Sequence, residues 1–292
     1  MNVVTGATGL AGSQVVRALL DRGEPVRAFV RDPDKARRLF GDTVELSVGD
    51  FADPAAVRAA LDGAERLVLS GPDDPRRVAW ERAAIDAAAA FGVRRIVKVS
   101  SLVAEPGNPV AFWDWHGRIE QHLRASGVPA VMLRCGPYMT NVLAAAEPVA
   151  RDGVLPAPAG DARIAMIDPR DVGAVAAAAL VEPGHDGRTY VLTGPAAITY
   201  ADVAADLGAA TGHPVRYVPV SDDDARRAMV RQGLPDFVAA QVVAVFAMLR
   251  RGVAERVTST VETLTGRSPH PFRAFAHDHA ALFAPALAGA AR

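Results

Sequence analysis

The sequence predicts an α/β fold with a doubly wound parallel sheet, followed by a small, mostly helical region. Three observations lead to this prediction. The chain opens with a short apolar strand, Asn2-Val3-Val4, and passes at once into a glycine-rich turn and an amphipathic helix. Its first half then alternates short β-branched segments with longer helical ones, which is typical of a parallel sheet covered by helices on both faces. After about residue 136 this alternation stops and prolines interrupt the pattern.

The first turn, from Thr5 to Gly12, carries three glycines at G-x-x-G-x-x-G spacing. We expect a helix to follow from about Leu10 to Asp21. Glycines at such a turn let the backbone bend sharply and approach a pyrophosphate, whose charge the amino terminus of the helix stabilises. The motif alone is a weak signal, but it stands at the first strand-to-helix turn, where a dinucleotide-binding fold requires it. The sequence therefore predicts a Rossmann-type sheet with a dinucleotide site at this turn.

Further strands and helices follow in alternation. The strands are expected at Val26–Val30, Val44–Val48, Leu67–Ser70, Ile96–Ser100, Ala130–Leu133 and Thr189–Leu192. The helices between the earlier strands are expected at Lys35–Phe40, Ala55–Leu61, Arg76–Phe91 and Ala111–Ala125. Asp-Pro steps begin at residues 32, 53, 74 and 168. Each step indicates a helix start, because aspartate is a good N-cap and proline suits the first helical position.

Composition bounds the class of protein. We expect residues 1–150 to form the dinucleotide-binding domain and residues 151–292 a smaller, substrate-covering region that shapes the pocket within the same globular unit. The formal net charge is −1 and there is no basic tract, which argues against a nucleic-acid partner. No charge-free run is long enough to span a bilayer, and the single cysteine, Cys135, excludes an internal disulfide. A cytoplasmic protein with a small-molecule substrate and no membrane attachment is the expectation.

The end of the second strand bears on the choice between NAD and NADP. Rossmann sites for NAD usually place Asp or Glu there, against the ribose 2′-hydroxyl. Here Val30 is followed by Arg31, with Asp32 next and Lys35 one turn later. Because a cation at this position suits a 2′-phosphate, the sequence predicts that NADP(H) is preferred over NAD(H). In the alternative, Arg31 points to solvent and Asp32 only caps the helix.

Several segments share their order and spacing with a known family over essentially the whole chain. They are TGATGLAG, VRAFVRDPDKARRL, GDFADPAAVRAALDGAERLVLSGP, VKVSSL, HGRIEQHLRASGVPAVMLRCGPYMTN, IDPRDVGAVAAAAL, YVLTGPAAITYADVA and LTGRSPHPFRAFAHDHAALF. In combination they resemble the NmrA-like group of atypical short-chain dehydrogenases/reductases. The resemblance implies an NAD(P)-binding Rossmann domain and a small C-terminal region that shapes the substrate pocket.

The resemblance also implies a cofactor site, residue by residue. The pyrophosphate would be wrapped by Gly6, Thr8, Gly9, Leu10 and Gly12. The adenosine half would be met by Arg31 and Lys35 at its phosphate and by Asp50 and Phe51 at its adenine. The central ribose and the nicotinamide would lie along Ser70, Gly71, Ser100, Ser101 and Pro137. The substrate pocket would be lined by Phe112, Trp113, Tyr138 and Asn141.

One departure from the family matters for the chemistry. Standard members of the superfamily carry Tyr-x-x-x-Lys on the helix after the fifth strand, where the tyrosine donates a proton to the substrate. Aligning Glu120 and Ser126-Gly127 with the family puts Phe112 at the tyrosine position and His116 at the lysine position. Because phenylalanine has no proton to donate, carbonyl reduction by that tyrosine is ruled out.

Three outcomes stay open, with His116 and Ser101 as the catalytic candidates. In the first, His116 acts as general acid or positions a water, which an ordinary histidine pKa of about 6.5 would suit. In the second, hydride passes to a quinone or another conjugated acceptor and solvent protonates the product. In the third, redox chemistry is lost, leaving an NADP(H)-sensing regulator that binds a protein partner. A lyase, cyclase or isomerase using the same cleft is a further alternative.

Among these alternatives, we expect the chain to be an oxidoreductase that acts on a small planar acceptor. We expect no metal site, because His277 and His279 stand two residues apart on a helix and point in different directions.

Overall fold

The computed structural model describes residues 1–285. Within that range the strands are β1 (Asn2–Thr5), β2 (Val26–Val30), β3 (Glu45–Val48), β4 (Arg66–Leu69), β5 (Arg95–Ser101), β6 (Ala130–Cys135), β7 (Val154–Ala157), β8 (Thr189–Leu192) and β9 (Arg216–Pro219). The first helices are α1 (Leu10–Leu20), α2 (Pro33–Phe40), α3 (Pro54–Leu61), α4 (Arg77–Ala90) and α5 (Ala111–Ala125). A 3-10 helix at Met139–Ala145 precedes α6 (Ala146–Asp152), α7 (Pro169–Val181), α8 (Tyr200–Thr211) and α9 (Asp222–Arg231). The last helices are α10 (Asp236–Leu249), α11 (Thr260–Thr265), α12 (Phe272–Asp278) and α13 (Ala280–Phe283).

The main sheet has seven parallel strands in the order β3-β2-β1-β4-β5-β6-β8. This order confirms the predicted Rossmann-type sheet. The strand order reverses direction between β1 and β4. In open α/β sheets ligands bind beside the carboxyl ends of the strands at such a reversal. The fold therefore brings the turn after β1 and the loop after β4 to the place where a ligand is expected.

The sheet is buried on both sides, as a parallel sheet covered by helices must be. Val3, Leu67 and Ile96 are fully buried in a core cluster together with apolar side chains from α3, α4 and α5. Their neighbours along the strands are equally buried and point to the opposite face, because side chains alternate along a strand. Helices α1 and α7 pack closely on each other, since a Cβ atom at Gly173 would lie 2.5 Å from the carbonyl carbon of Gln14.

The helix starts follow the Asp-Pro steps, with one exception. Asp32 and Asp53 accept hydrogen bonds from the amides of Lys35 and Ala55, so both cap their helices as predicted. Helix α7 begins at Pro169, directly after the fourth aspartate. Helix α4, however, begins only at Arg77. Asp74 bonds instead to the amide and side chain of Arg76 and forms a turn before the helix.

The chain divides into two compact units, and the division differs from the boundary predicted at residue 150. Unit 1 consists of Met1–Cys135, Pro169–Leu192 and Thr260–Arg267; unit 2 begins with Gly136–Asp168 and Thr193–Ser259 and takes up the described residues from Ser268 onward. The chain returns to unit 1 after residue 150 because β8 pairs with β6 in the main sheet. The prolines after residue 136 indicate where the chain first leaves unit 1. The pairing of β6 with β8, more than fifty residues later, has no local signal in the sequence.

Unit 2 contains a small parallel sheet of β7 and β9 together with helices that include α8, α10 and α12. Its aromatic side chains Tyr200, Tyr217 and Phe246 form successive ring contacts. The mostly helical character predicted for the second half is thus seen in this unit. No helix found between residues 1 and 285 combines the length and the apolar character needed to cross a membrane.

Candidate functional site

The glycine turn leaves no room for side chains at two of its three glycines. Gly6 has a φ of +60°, and a Cβ atom there would lie 2.7 Å from the carbonyl oxygen of Ser70. A Cβ atom at Gly12 would lie 2.2 Å from the carbonyl oxygen of Gly6. The turn is closed by a hydrogen bond of 2.9 Å from the amide of Gly9 to the same oxygen. Gly6 and Gly12 are therefore required by close backbone packing.

Helix α1 begins directly after this turn, with Gly9 as its N-cap. No side chain caps it, and its first turn carries no acidic residue. The first amide groups of a helix have no partner within it, so an anion at this end is stabilised by them and by the helix dipole. Leu10 is 55% exposed, so an apolar side chain stands at the rim of this end. The arrangement fits a pyrophosphate.

The adenosine end of the predicted site is an exposed group of charges. Arg31 and Lys35 follow β2 and are both exposed. Nη1 of Arg31 lies 3.8 Å from Oδ2 of Asp50, which follows β3. The structure thus brings together Arg31 and Asp50, two of the residues that the sequence predicted for this end. A fourth charge is Arg76, whose pKa is raised mainly by a hydrogen bond to Asp74 and to a smaller extent by the Asp50 carboxylate.

Phe51 lies in the core instead of facing the adenosine end. It is 9% exposed, and its ring packs edge-on against Phe29 at a centroid distance of 5.8 Å. The sequence predicted that Phe51 contacts adenine. With its ring committed to the core, Phe51 has only its backbone to offer such a contact.

Ser70 and Gly71, which follow β4, are tied to the glycine turn and to α4. Thr5 Oγ1 donates to the carbonyl oxygen of Ser70 at 2.9 Å, and the amide of Ser70 donates back at 3.0 Å. A Cβ atom at Gly71 would lie 2.7 Å from Oε1 of Glu81, and the Gly71 carbonyl oxygen accepts from Nη2 of Arg77 at 3.3 Å. The predicted ribose-binding segment therefore rests on a buried carboxylate.

Beneath this segment, Arg77 on α4 and Lys98 on β5 both pair with Glu81. Arg77 donates to Oε1 through Nε at 3.2 Å and through Nη2 at 3.0 Å, and Nζ of Lys98 lies 2.8 Å from Oε2. All three side chains are at most 3% exposed. Nζ also donates to the Val99 carbonyl oxygen at 2.6 Å, and Nη1 of Arg77 pairs with Asp73. Burial lowers the pKa of Lys98, although the Glu81 carboxylate opposes this effect. We call Arg77, Glu81 and Lys98 the buried triad.

A second buried network fixes Ser100. Its hydroxyl donates to Oε1 of Glu120 at 2.6 Å. The fully buried Glu120 also receives hydrogen bonds from Arg134 at 3.1 and 2.8 Å and from Arg124 at 2.9 Å. Burial would raise the pKa of Glu120, but the bonds from Arg134 and Ser100 outweigh burial and hold it below the ordinary value. The Ser100 hydroxyl therefore serves strand-to-helix packing, and Ser101, partly exposed at the end of β5, keeps the candidate catalytic role.

His116 lies on α5 and is 9% exposed. Among the described residues its Nδ1 atom makes no hydrogen bond. Burial lowers its pKa well below 6.5, and the positive charges of Arg77 and Lys98 lower it further. The imidazole is therefore neutral at neutral pH. This differs from the ordinary pKa expected from the sequence, because nothing in the local pattern shows that α5 buries residue 116 near two cations.

The aromatic candidates on α5 are set largely in the core. Trp113 is 6% exposed, and the half-buried Phe112 packs edge-on against Trp115 at 5.5 Å. Helix α5 is held close to the preceding loop, since a Cβ atom at Gly117 would lie 2.3 Å from the carbonyl carbon of Glu105. Phe112 thus keeps some surface for a ligand, whereas Trp113 keeps little.

Pro137, Tyr138 and Asn141 belong to unit 2. The Pro137 carbonyl oxygen accepts from the amide of Ile167 at 2.9 Å, and Tyr138 forms a parallel bridge with the same residue. Asn141 is exposed and its amide donates to the Tyr138 carbonyl oxygen at 3.1 Å. Their contribution to the site stays a prediction from the resemblance. No cluster of three or more potential metal ligands occurs in the part of the chain that the structure describes.

Sequence reasoning missed the charged residues that support the site. These are Arg76, Arg77, Glu81, Lys98 and Arg134 in unit 1. One signal was available, because Lys98 interrupts the apolar strand Ile-Val-Lys-Val, and a lysine in a buried strand is rare unless it is paired. Its partner Glu81 carries no comparable signal, since it stands on a helix among other charged residues.

Comparison with known proteins identifies the family of this chain. A model of the NmrA-like family matches residues 2–264. The chain belongs to the NmrA-like family. The resemblance read from its motifs is therefore confirmed.

Individual relatives are similar over nearly the full chain. An NAD(P)H azoreductase of Xenophilus azovorans is 37% identical over 98% of this chain and 100% of its own length. A (4-alkanoyl-5-oxo-2,5-dihydrofuran-3-yl)methyl phosphate reductase of Streptomyces griseus is 40% identical over the same shares. The crystal structure of the NADPH-dependent quinone oxidoreductase 2 of Escherichia coli with NADPH superposes with a TM-score of 0.86 at 33% identity, covering 95% of this chain and 99% of that one.

Proposed function

We propose that this chain is an NADPH-dependent oxidoreductase that passes hydride to a small, planar organic acceptor such as a quinone or an enone. The glycine turn carries the proposal, because its backbone fills the space that Cβ atoms would need at Gly6 and Gly12 and leads into an uncapped helix. Such a turn lets a pyrophosphate approach the backbone closely. The names of the relatives, an azoreductase, a furanone phosphate reductase and a quinone oxidoreductase, support the same class of reaction.

The cofactor, when bound, supplies the hydride, and the protein binds and orients it. The glycine turn, with Thr8 and Leu10, would hold the pyrophosphate. Arg31 and Lys35 would pair with the 2′-phosphate, which supports a preference for NADPH over NADH. Ser70 and Gly71 would lie along the central ribose.

The second half of the site would serve the acceptor. Ser101 would present its hydroxyl beside the nicotinamide, and the neutral imidazole of His116 would hold a water or donate a hydrogen bond. Reduction of a quinone or enone does not require a proton donor from the protein, because solvent can protonate the reduced product. Phe112 would offer its half-buried ring to a flat acceptor. The roles of Pro137, Tyr138 and Asn141, the cytoplasmic location and the lack of a nucleic-acid partner stay predictions.

Turnover with a panel of acceptors tests the proposal. Purified protein is mixed with NADPH and, in separate assays, a quinone, a cyclic enone, an azo dye and a saturated ketone. We expect NADPH oxidation with at least one conjugated acceptor and none with the saturated ketone. Titration calorimetry with NADPH and NADH, run in parallel, should give tighter binding of NADPH.

The outcomes separate the alternatives. Tight binding of NADPH without oxidation by any acceptor would favour the cofactor-sensing regulator. Absence of binding heat with either reduced nucleotide would end the proposal. Tighter binding of NADH would leave the reaction class standing and contradict the assignment of Arg31 and Lys35.

A further inference from the structure

We propose that the buried triad of Arg77, Glu81 and Lys98 is a positioning group, which fixes Gly71 under the ribose half of the cofactor and places two cations near the buried His116. The proposal deepens the proposed function and rests on it. The three side chains of the buried triad do not touch the ligand themselves. They act through the backbone of Gly71 and through their charge.

Glu81 and Arg77 hold Gly71 in place. Oε1 of Glu81 stands where a Cβ atom of residue 71 would be, at 2.7 Å, and Arg77 donates to the carbonyl oxygen of the same residue. The loop after β4 is therefore held from below by a carboxylate whose own position is set by two buried cations. Groups that must be placed within a fraction of an ångström are commonly held in this way by charges that do not contact the ligand.

The triad also acts on His116 through its charge. Burial is the main cause of the low pKa of His116, and the charges that lower it further come from two elements, Arg77 on α4 and Lys98 on β5. Glu81 bonds to both cations and partly neutralises them. On α5 itself and on β6, Glu120 and Arg134 bond to each other. The Nδ1 atom of His116 is buried and without a hydrogen bond among the described residues, so no carboxylate is bonded there to stabilise an imidazolium.

Burying the three charges of the triad costs free energy. Three charges at most 3% exposed are expensive to bury, and an apolar replacement of similar volume is often as stable or more so. Apolar side chains of similar volume could pack at this place as well. The place of the three charges under the loop after β4, and beside His116, gives them a role that apolar side chains would not fill.

Lys98→Met is the decisive variant, because it removes one buried charge at nearly constant volume and leaves the Arg77–Glu81 pair. We expect kcat for NADPH oxidation to fall about tenfold, since small displacements of reacting groups have effects of this size. The KM for NADPH should change less than about threefold, because the triad makes no contact with it. In parallel, the pKa of His116, followed by NMR with isotope-labelled histidine, should rise by about one pH unit as a nearby cation is lost.

Two further variants complete the test. Arg118→Gln removes an exposed charge that pairs with Asp114 at 3.6 Å on α5, and it should leave kcat and the His116 titration unchanged. Glu81→Gln combined with Lys98→Met removes opposite charges together and serves if the single variant does not fold. It should again lower kcat, whereas the pKa of His116 should shift less than in the single variant, because an anion and a cation are removed together.

The results can overturn the inference without deciding the function. A folded Lys98→Met protein with wild-type kcat and an unchanged His116 titration would show that the triad serves packing alone. The NMR titration needs no cofactor, so it remains informative even if NADPH does not bind. Absence of NADPH binding would reject the proposed function. The electrostatic role of the triad would be rejected separately, by an unchanged His116 titration in the Lys98→Met protein.

Discussion

Two charged regions stand along the carboxyl edge of the main sheet, and they differ in their exposure to water. The region after β2 and β3 contains Arg31, Lys35 and Asp50, where Arg31 is 74% exposed and its contact with Asp50 is long, at 3.8 Å. The region beneath β4 and β5 contains the buried triad, whose members are almost fully removed from solvent. The glycine turn after β1 lies between them in strand order.

The difference separates binding from positioning. Exposed cations in weak pairs remain hydrated and can exchange Asp50 for an incoming phosphate at little cost. Buried charges cannot exchange partners, because each unpaired charge in the interior is costly. The first region is therefore suited to recognise a charged ligand, and the second to hold backbone and imidazole in place. Substitutions in the two regions should consequently change different measurements.

The largest effect is expected from removing a buried carboxylate. Glu120→Gln leaves Arg134 and Arg124 without their partner and should lower the free energy of unfolding by about 3 kcal/mol or more. The matched exposed change, Asp34→Ala, removes a carboxylate that is 77% exposed beside Arg37, and should cost less than about 1 kcal/mol. Denaturant unfolding of both variants measures the contrast. Equal losses would contradict the different roles assigned to buried and exposed charges.

The same carboxylate predicts a pH dependence. The pKa of Glu120 is lower in the folded protein than its ordinary value of 4.5, so its contribution is complete above that value. It is lost as pH falls through the folded pKa, because the protonated group no longer pairs with Arg134. The stability difference between wild type and Glu120→Gln should therefore be constant near neutral pH and shrink below about pH 4.5. A difference that grows on acidification would contradict this sign.

The next effect concerns the glycine turn. Gly12→Val places side-chain atoms where a Cβ alone would lie 2.2 Å from the Gly6 carbonyl oxygen, so the turn must shift. Overpacking of this kind costs roughly 1–3 kcal/mol, and we expect the Kd for NADPH to rise on the order of 100-fold. Gly23→Ala is the control, since its φ of +73° strains an alanine but no atom lies within 4 Å. It should cost about 1 kcal/mol of stability and leave calorimetric binding of NADPH as in the wild type. Unchanged binding by folded Gly12→Val would contradict the assigned turn.

Local patterns predicted the parts of the site that depend on local structure. The turn at Gly6–Gly12, the caps at Asp32 and Asp53 and the cations after β2 follow from short motifs, and the first six strands of the sheet follow from alternation. The buried triad depends instead on the pairing of β4 with β5 and on the packing of α4. Neither Glu81 nor His116 carries a local sign of its surroundings. For the same reason the return of the chain to add β8 and the core position of the Phe51 ring went unpredicted.

The smallest effect is expected in the exposed region, and it concerns cofactor choice. Arg31→Ala removes the charge that we propose to pair with a 2′-phosphate, and it should raise the Kd for NADPH about tenfold. Binding of NADH, which has no such phosphate, should change little. Arg38→Ala, an exposed arginine on the same helix α2 as Lys35, is the control for a general loss of positive charge. Calorimetry at two salt concentrations should show a weaker salt dependence for Arg31→Ala than for wild type, because one fewer exposed charge pair is screened. Equal weakening of NADPH and NADH would instead assign Arg31 to a part of the ligand that both nucleotides share.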